Sequence, residues 1–309
     1  MAVITQANME TDLRMASALD QALTVLLADT SSIMDLDFGI VELAPINGLL
    51  TDTIRERQVA LDADNFSATG AEDTDASAGT AITDDGVNIA VVRAALAREI
   101  SDLGLMGASA TDLDPEALAA SLVRARARYT NTVVATAAAT ASSTVGSSTS
   151  GCTADDILDA QFALQEAYNP LPFYCGLHQH QLTGFQNSLR GEMGALGPFN
   201  TETVDMLKAK NTGEAGTWNG IRFATFSQVI AASSIRKGAM WSAGALGVRK
   251  GIPTPNITKY TQAVAIVLDN LLIEIQHVFG GGKVRVAGDI YLGASLREQA
   301  RIVGIFTQQ

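Results

Sequence analysis

A glycine run that ends in lysine, 280–283, is the first segment of the sequence that could bind a phosphate group. A phosphate-binding loop of the Walker type also needs a glycine five residues before Gly282 and a serine or threonine after Lys283. His277 and Val284 occupy those two positions. Glycine-rich turns are typical of tight connections between strands, so we predict a hairpin here and no nucleotide site.

Two histidines, His178 and His180, flank one glutamine and would share a face of a strand, as a pair of metal ligands can. No carboxylate or cysteine cluster lies near them in sequence, and the only other histidine is His277. We therefore predict a polar loop that leads into the next helix. Cys152 and Cys175 lack the spacing of a zinc site or a disulfide framework, and they are expected to be small, semi-buried side chains.

Local signatures of catalysis are missing from the rest of the chain. There is no GxSxG elbow for a nucleophilic serine. The glycines in 191–197 recur at every third position, which is not the dinucleotide fingerprint, and we predict a loop there. Many acidic residues are present, so a carboxylate pair could still form in the fold, and a carboxylate-dependent hydrolase stays as a remote alternative. We predict no catalytic residue, metal or cofactor.

Composition points to burial against partners. Of the 309 residues, 47% are hydrophobic and 17% are charged, whereas soluble domains carry roughly 25% charged residues. The most apolar segment, 263–275, is interrupted by Asp269, Asn270 and Glu274, so it falls short of the ~18 apolar residues that span a bilayer. The N-terminus has no secretory signal pattern. A net charge of −12 also argues against nucleic-acid binding as the main task.

The elements that would position any site begin with a helix at 9–28, where leucines recur at three- and four-residue spacing. Residues 38–100 are predicted to form a long two-stranded excursion, because extended segments flank an acidic stretch at 62–86. No lysine or arginine lies between Arg57 and Arg93. The acidic stretch has too few apolar residues to fold alone.

A long helix follows at about 114–139, since Asp114 can cap it and Pro115 suits its first position. The alanine-, threonine- and serine-rich tract at 135–150 closes it. Thr153 and Asp156 predict a capping box for the next helix. A short strand at 171–177 and a helix at 182–189 come next. Alternating apolar residues from 240 onward predict a domain built mainly of strands.

The order of these segments carries a resemblance. The sequences at 153–160, 177–182, 216–221, 238–240 and 278–280 follow one another as in the major capsid proteins of tailed bacteriophages. The chain thus resembles proteins with the α+β Hong Kong 97-type shell fold. The resemblance implies an N-terminal arm (1–37), an extended loop (38–100), a spine helix with a peripheral domain (101–235), and an axial domain with returning peripheral strands (236–309).

The resemblance implies a non-enzymatic subunit that self-assembles through pentamers and hexamers into an icosahedral shell around packaged double-stranded DNA, bound without sequence specificity. It places the protein in the virion, and in the host cytoplasm during assembly. A separate scaffolding protein, a portal and a decoration protein would be its partners. The alternative is an encapsulin-like compartment, which shares the fold but holds cargo enzymes. The extended loop and long arm favour the viral interpretation.

Two departures from the family shape further expectations. Some members fuse their subunits through a lysine in the extended loop, but the first lysine here is Lys208, so we predict a shell held by non-covalent contacts. Some members carry a removable N-terminal scaffolding segment. This chain enters the arm helix soon after Met1, so we expect a separate scaffolding protein or none.

Charge pairing between subunits is the remaining expectation. The acidic tip would meet basic residues of a neighbour, and the candidates on the two sides are Glu72, Asp73 and Asp75, and Arg124, Arg126, Arg128 and Arg190. Exposed ion pairs contribute only ~0–1 kcal/mol each, so they would select register more than affinity. Two alternatives stay open, a solvated acidic loop and arginines that face packaged DNA.

Overall fold

The computed structural model describes residues 37–47, 53–56, 86–101, 115–194, 214–225, 231–232, 234–253, 264–278 and 283–308. The predicted arm helix and the acidic stretch, with Glu72, Asp73 and Asp75, lie outside these residues. The described part has the α+β structure that the sequence predicted, and its two sheets meet along one long helix.

The first sheet has six strands in the order β1-β11-β14-β13-β12, with β4 paired to β14 beside β11. β14 is the longest strand of this sheet. β4 and β11 pair with different parts of the same edge of β14. The bounds are β1 Val41–Asn47, β4 Val92–Ser101, β11 Leu246–Ile252, β12 Val264–Leu268, β13 Leu271–Val278 and β14 Lys283–Leu296.

The second sheet has seven strands in the order β5-β15-β10-β6-β8-β7, with the short β9 paired to β10. Two helices, α2 and α3, belong to this half of the molecule and contact β15 and β6 respectively. The bounds are β5 Thr144–Val145, β6 Phe173–Leu177, β7 Glu214–Trp218, β8 Ile221–Thr225, β9 Ala231–Ala232, β10 Ile235–Ser242, β15 Ile302–Gln308, α2 Ala154–Glu166 and α3 Gln179–Gly194.

A two-stranded ribbon, β2 (Thr53–Glu56) with β3 (Val87–Ala90), forms a separate small sheet that packs against β14. The segment 38–100 therefore does not form one long two-stranded excursion. β1 and β4 pair within the six-stranded sheet, and only β2 and β3 pair with each other. Gly293 of β14 allows the ribbon to cross closely, since a Cβ there would overlap the carbonyl group of Ala90.

The long helix α1, Pro115–Ala138, matches the predicted spine helix in position and length. Its 24 residues rise about 36 Å at 1.5 Å per residue. Leu122, Val123 and Val134 are buried at 4%, 1% and 1% exposure, because they lie on the side that packs against β14 and its neighbours. The start signals at Asp114 and Pro115 were sufficient to locate this element.

Local signals predicted the second helix equally well. The Thr153 side chain accepts a hydrogen bond from the amide of Asp156, and the Asp156 carboxylate accepts one from the amide of Thr153 at 2.8 Å. The predicted capping box is therefore confirmed. The predicted glycine hairpin is also confirmed by its flanking strands, which pair antiparallel with Val278 opposite Lys283.

The glycine-rich segment at 191–197 was predicted to be a loop, and this is wrong for its first half. α3 continues to Gly194, because Glu192 and Met193 are good helix formers that extend the preceding turn. The expected domain boundary at residue 236 falls inside β10, which pairs with β6 and β15 of the seven-stranded sheet. Where the axial and peripheral domains divide thus stays a prediction.

A single aromatic cluster fills the joint between the two sheets. Phe38 is fully buried, with its ring centroid 5.5 Å from that of Tyr174 and 6.5 Å from that of Trp241. Trp241 donates a hydrogen bond from Nε1 to the Phe38 carbonyl oxygen at 2.8 Å. Residues from α1, β11, β14 and β15 complete the same hydrophobic core. Gly39 takes a positive φ of 66° directly beneath the Tyr174 ring.

Removing the Phe38 ring should test how strongly the joint stabilises the fold. We expect Phe38→Ala to lower the free energy of unfolding by about 3–5 kcal/mol, because it leaves a cavity among packed aromatic rings. Phe162→Ala is the matched control, since Phe162 is 57% exposed on α2 and should change stability by only about 0.5 kcal/mol. Chemical denaturation of the purified chain measures both. Equal losses would contradict the role of the joint.

Candidate functional site

The six-stranded sheet presents two chemically different faces. Alternation along β14 places Gly288 and Ile290 toward α1, where they line a cavity with Leu122 and Tyr129. Residues at odd positions of β14 point to the opposite face, as the strand period of two requires. The charged side chains of this half of the molecule therefore divide between a helix-covered face and an opposite face.

Arg126, one of the predicted inter-subunit residues, is engaged within its own chain. Its Nη2 lies 2.9 Å from Oδ2 of Asp269, and its Nε donates to Oδ1 of Asn270 at 3.2 Å. Lys250 binds the same Asp269 at 3.0 Å and also Glu42 at 2.9 Å. These contacts tie α1 and the β1–β11 pair to the β12–β13 turn. Whether Arg126 also contacts a neighbour stays a prediction.

The two arginines on either side, Arg124 and Arg128, are exposed and stand one helical turn apart. They line a groove of about 520 Å³ between α1 and β4, together with Arg98. We refer to Arg98, Arg124 and Arg128 as the arginine groove. Arg190 lies on α3 in the other half of the molecule. Whether these residues contact a neighbouring subunit stays a prediction.

Arg98 is the site residue that sequence reasoning missed. It lies on β4 opposite Val286 of β14, and this register turns it toward α1. Its neighbours in sequence give no hint of this position, because strand pairing and not local spacing sets which side it faces. Only the pairing of β4 with β14, nearly 190 residues apart, brings a third arginine beside Arg124 and Arg128.

The opposite face carries a buried carboxylate pair of the kind that the hydrolase alternative would need. Asp289 on β14 and Glu274 on β13 are each 2% exposed. Leu272 lies opposite Asp289 in the register, which places Glu274 diagonally beside Asp289 on one face. Arg93 donates from Nη2 to both carboxylate oxygens of Asp289, at 3.0 and 2.9 Å.

The environment of this pair favours protonation and keeps solvent out. Burial raises the pKa of Glu274, and the nearby Asp289 raises it further, whereas Arg93 opposes the rise. Burial also raises the pKa of Asp289, again against the attraction of Arg93. A glycosidase pair must reach both its substrate and water. Two carboxyl groups closed off from solvent do not offer that access, which weighs against the hydrolase alternative.

The two histidines form the entry to α3. The Nδ1 atom of His178 accepts a hydrogen bond from the amide of His180 at 3.1 Å, and the two rings stack at 5.1 Å. Burial, Arg236 and His180 lower the pKa of His178, which favours the neutral ring. The predicted polar entry into a helix is confirmed. Within the described ranges, no three potential ligands cluster around a metal position.

Gln181 in the same turn braces α3 against the seven-stranded sheet. Its buried Nε2 lies 3.1 Å from the carbonyl oxygens of Arg236 and Ile305 and 2.9 Å from Oγ1 of Thr307, so its two N–H groups have three acceptors within hydrogen-bond distance. Its Oε1 accepts from the amide of His178. The polar residues of this segment thus hold the helix in place, a structural task that explains them without any ligand.

Both cysteines are free and buried, deeper than the semi-buried position expected. Burial raises the pKa of the Cys152 thiol, and Asp156 adds to the rise. Burial raises the pKa of Cys175 as well. Nucleophilic cysteines need a stabilised thiolate, and these surroundings favour the thiol. Among the residues described here, no helix is long and apolar enough to cross a bilayer.

Comparison with known proteins identifies the fold. No family model and no curated protein matches the sequence. Among solved structures, the capsid of the cyanophage P-SCSP1u aligns over 91% of this chain and 89% of its own, with 14% identity and a TM-score of 0.57. An encapsulin complex from Synechococcus elongatus covers 86% and 84% respectively, with 11% identity and a TM-score of 0.57.

A virus-like particle from Pyrococcus furiosus covers 94% of this chain and 98% of its own, with 13% identity and a TM-score of 0.53. These shell proteins share a single architecture, and the chain has the Hong Kong 97-type fold that its segment order predicted. At such low identity the likeness establishes the fold alone.

The buried carboxylate pair generates a prediction about pH. Since the folded pKa of Glu274 lies above its ordinary value of 4.5, its contribution to stability is full below that value and is lost as pH rises through the folded pKa. Glu274→Gln removes the charge that burial disfavours. We expect the variant to unfold at a higher Tm than wild type at neutral pH, and the gap to close toward about pH 4, the range in which free carboxyl groups titrate.

Glu166→Gln provides the matched control, because Glu166 is exposed at the end of α2. Its Tm should differ little from wild type across the same pH range. Thermal unfolding followed by circular dichroism at several pH values measures all three proteins. A Glu274→Gln variant with a lower Tm at neutral pH would contradict this account, since it would show that the carboxylate stabilises the sheet.

Proposed function

We propose that this protein is the major capsid protein of a tailed bacteriophage and that copies of it assemble into an icosahedral shell around double-stranded DNA. The observation that carries the proposal is the fold, which aligns with shell-forming proteins over nearly the whole length of both chains. It also supports a structural role rather than catalysis.

Composition supports the same proposal independently. A chain with 17% charged residues and a mean hydropathy of +0.16 has much apolar surface to cover. Among the described residues, Phe162, Tyr168 and Leu171 are 57%, 88% and 60% exposed. Large apolar side chains at the surface are typical of contacts with other proteins. A shell in which every subunit touches several others would bury such surface repeatedly.

An encapsulin-like compartment is the second candidate, because an encapsulin complex and a virus-like particle share this fold as fully as the phage capsid does. The two candidates differ in what the shell encloses. The ribbon β2–β3, with 30 residues between its strands, favours the viral function. In that case pentamers and hexamers, a portal, a scaffolding protein and a decoration protein would take part in assembly, in the host cytoplasm and then in the virion.

The contents of natural particles distinguish the two candidates. We expect particles purified from the producing cells to contain double-stranded DNA that resists added nuclease, because a closed capsid excludes the enzyme. Extraction after nuclease treatment, followed by gel analysis of nucleic acid and protein, measures the contents. Particles that hold one enzyme species and no protected DNA would establish the compartment instead.

The shell is further proposed to be held by non-covalent contacts. The six lysines all lie at or beyond position 208, none of them in the predicted extended loop. Of the described ones, Lys250 binds Glu42 and Asp269, and Lys237 lies 5.1 Å from the Phe306 ring.

Denaturing gel electrophoresis tests this proposal directly. Mature particles boiled in detergent and reductant should run as a single band near the 32.3 kDa monomer, because burial and ion pairs do not survive these conditions. A ladder of covalent multimers would show that another amine or side chain crosslinks the subunits.

A further inference from the structure

We propose that the apolar cavity between α1 and β14, which Leu122, Tyr129, Gly288 and Ile290 line, forms one binding site with the arginine groove beside it. The ligand class is a small aromatic anion, whose ring would occupy the cavity and whose carboxylate or phosphate group would lie in the groove. The site belongs to a single subunit. It therefore goes beyond the proposed shell function and does not depend on it.

The apolar cavity exists because residues with little or no side chain meet at one place. Gly288 of β14 lies opposite Leu96 of β4. Ala94 of β4 lies opposite Ile290 of β14. Ala125 lines the same space from α1. Glycine and alanine thus occupy three positions where larger side chains would fill the space, and a cavity of about 170 Å³ remains.

The size and lining of the cavity match a single aromatic ring. Leu122, Leu271 and Ile290 are buried walls. Arg126 also lines the cavity, but its guanidinium group is paired with Asp269. An engineered apolar cavity of roughly 150 Å³ in another protein binds benzene. Because a void among packed side chains destabilises a fold, an apolar group that fills this one is favoured.

The apolar cavity adjoins the arginine groove. Leu96, Ala125 and Tyr129 line both spaces. Arg124 and Arg128 directly precede two of these residues on α1. Burial raises the pKa of Tyr129, so its hydroxyl stays protonated at neutral pH and is able to donate a hydrogen bond. A ligand whose ring lies in the cavity can therefore extend its other end toward the arginines.

The groove supplies the charge for the other end of the ligand. Arg98, Arg124 and Arg128 are all exposed, and no acidic residue is among the described residues that line the groove. Guanidinium groups bind carboxylates and phosphates through paired, charge-assisted hydrogen bonds. A mostly apolar pocket with a few converging polar groups is typical of sites for small molecules.

Double-stranded DNA is the competing anion for the groove. DNA binds nonspecifically through its phosphates, and phosphates alone would leave the apolar cavity empty. A ligand that uses both spaces needs a ring and a charge in the same molecule. The two requirements can be tested separately, with probes that have only one of the two groups.

Calorimetric titration of the purified full-length chain at low ionic strength tests the site, with 3-phenylpropionate and phenyl phosphate as probes. The tighter of the two identifies the preferred anionic group. We expect propionate, which lacks the ring, and 3-phenylpropanol, which lacks the charge, to bind at least tenfold more weakly than 3-phenylpropionate. Each analogue occupies only one of the two spaces.

Substitutions assign the binding to this site. Ala125→Leu places a larger side chain where the cavity and the groove meet, and R98Q with R124Q and R128Q removes the charge of the groove. Each change should weaken binding at least tenfold. Ala127→Leu is the matched control and should bind as wild type, because Ala127 lies on the same helix but is not among the described residues that line either space.

Circular dichroism and Tm establish that each variant is folded. If the Ala125→Leu chain unfolds, Gly288→Ala replaces it, because a Cβ at position 288 would lie 3.0 Å from the Leu122 side chain at the cavity wall. If the triple variant unfolds, R124Q alone replaces it.

Three results would overturn the inference. The first is no binding of either probe at millimolar concentration. The second is equal affinity for 3-phenylpropionate and for either analogue, since the cavity or the groove would then contribute nothing. The third is equal binding by the Ala125→Leu and Ala127→Leu chains, which would place the ligand elsewhere. None of these results bears on shell formation, which imaging of particles measures independently.

Discussion

The packing of Phe38 against Tyr174 and Trp241 is the contact on which both sheets depend. The chain passes between the sheets twice in this region, from β10 to β11 and from β14 to β15. Residues from each of those four strands join the same core as Phe38. A change in this core would displace both connections between the sheets. The joint therefore fixes how the six-stranded sheet lies relative to the seven-stranded one. Arg222 covers the Phe38 ring at 5.1 Å and closes the joint from outside.

On the helix α1, one arginine that forms an ion pair within the chain lies between two arginines that are exposed. Arg126 reaches the β12–β13 turn, where Asp269 also meets Lys250. This network holds the helix at a set distance from the sheet. Arg124 and Arg128 are thereby presented at the surface on a rigid element, and Arg98 approaches them from β4. The rigidity of the groove follows from the contacts inside the chain, and the groove's positive charge lies at the surface.

The parts of the fold that sequence could predict are those set by neighbours in the chain. The capping box at Thr153, the start of α1 at Pro115 and the hairpin after Val278 all depend on residues a few positions apart. Sheet order could not be read in this way, since β4 pairs with β14 and β1 pairs with β11 across some 200 residues. Arg98 and the Glu274–Asp289 pair were missed for that reason. The order of segments identified the fold, because that order extends over the whole chain and does not depend on which strands pair.

The central claim is that copies of this chain close into a shell, and imaging of the protein expressed alone or with a candidate scaffolding protein tests it most directly. Electron microscopy of purified material, with two-dimensional class averages, should show uniform hollow particles of icosahedral outline whose subunits form rings of five and six. The proposed shell function predicts this result. A protein that stays monomeric in both preparations, with no rings or shells in the images and a single slow species in sedimentation, would contradict the account.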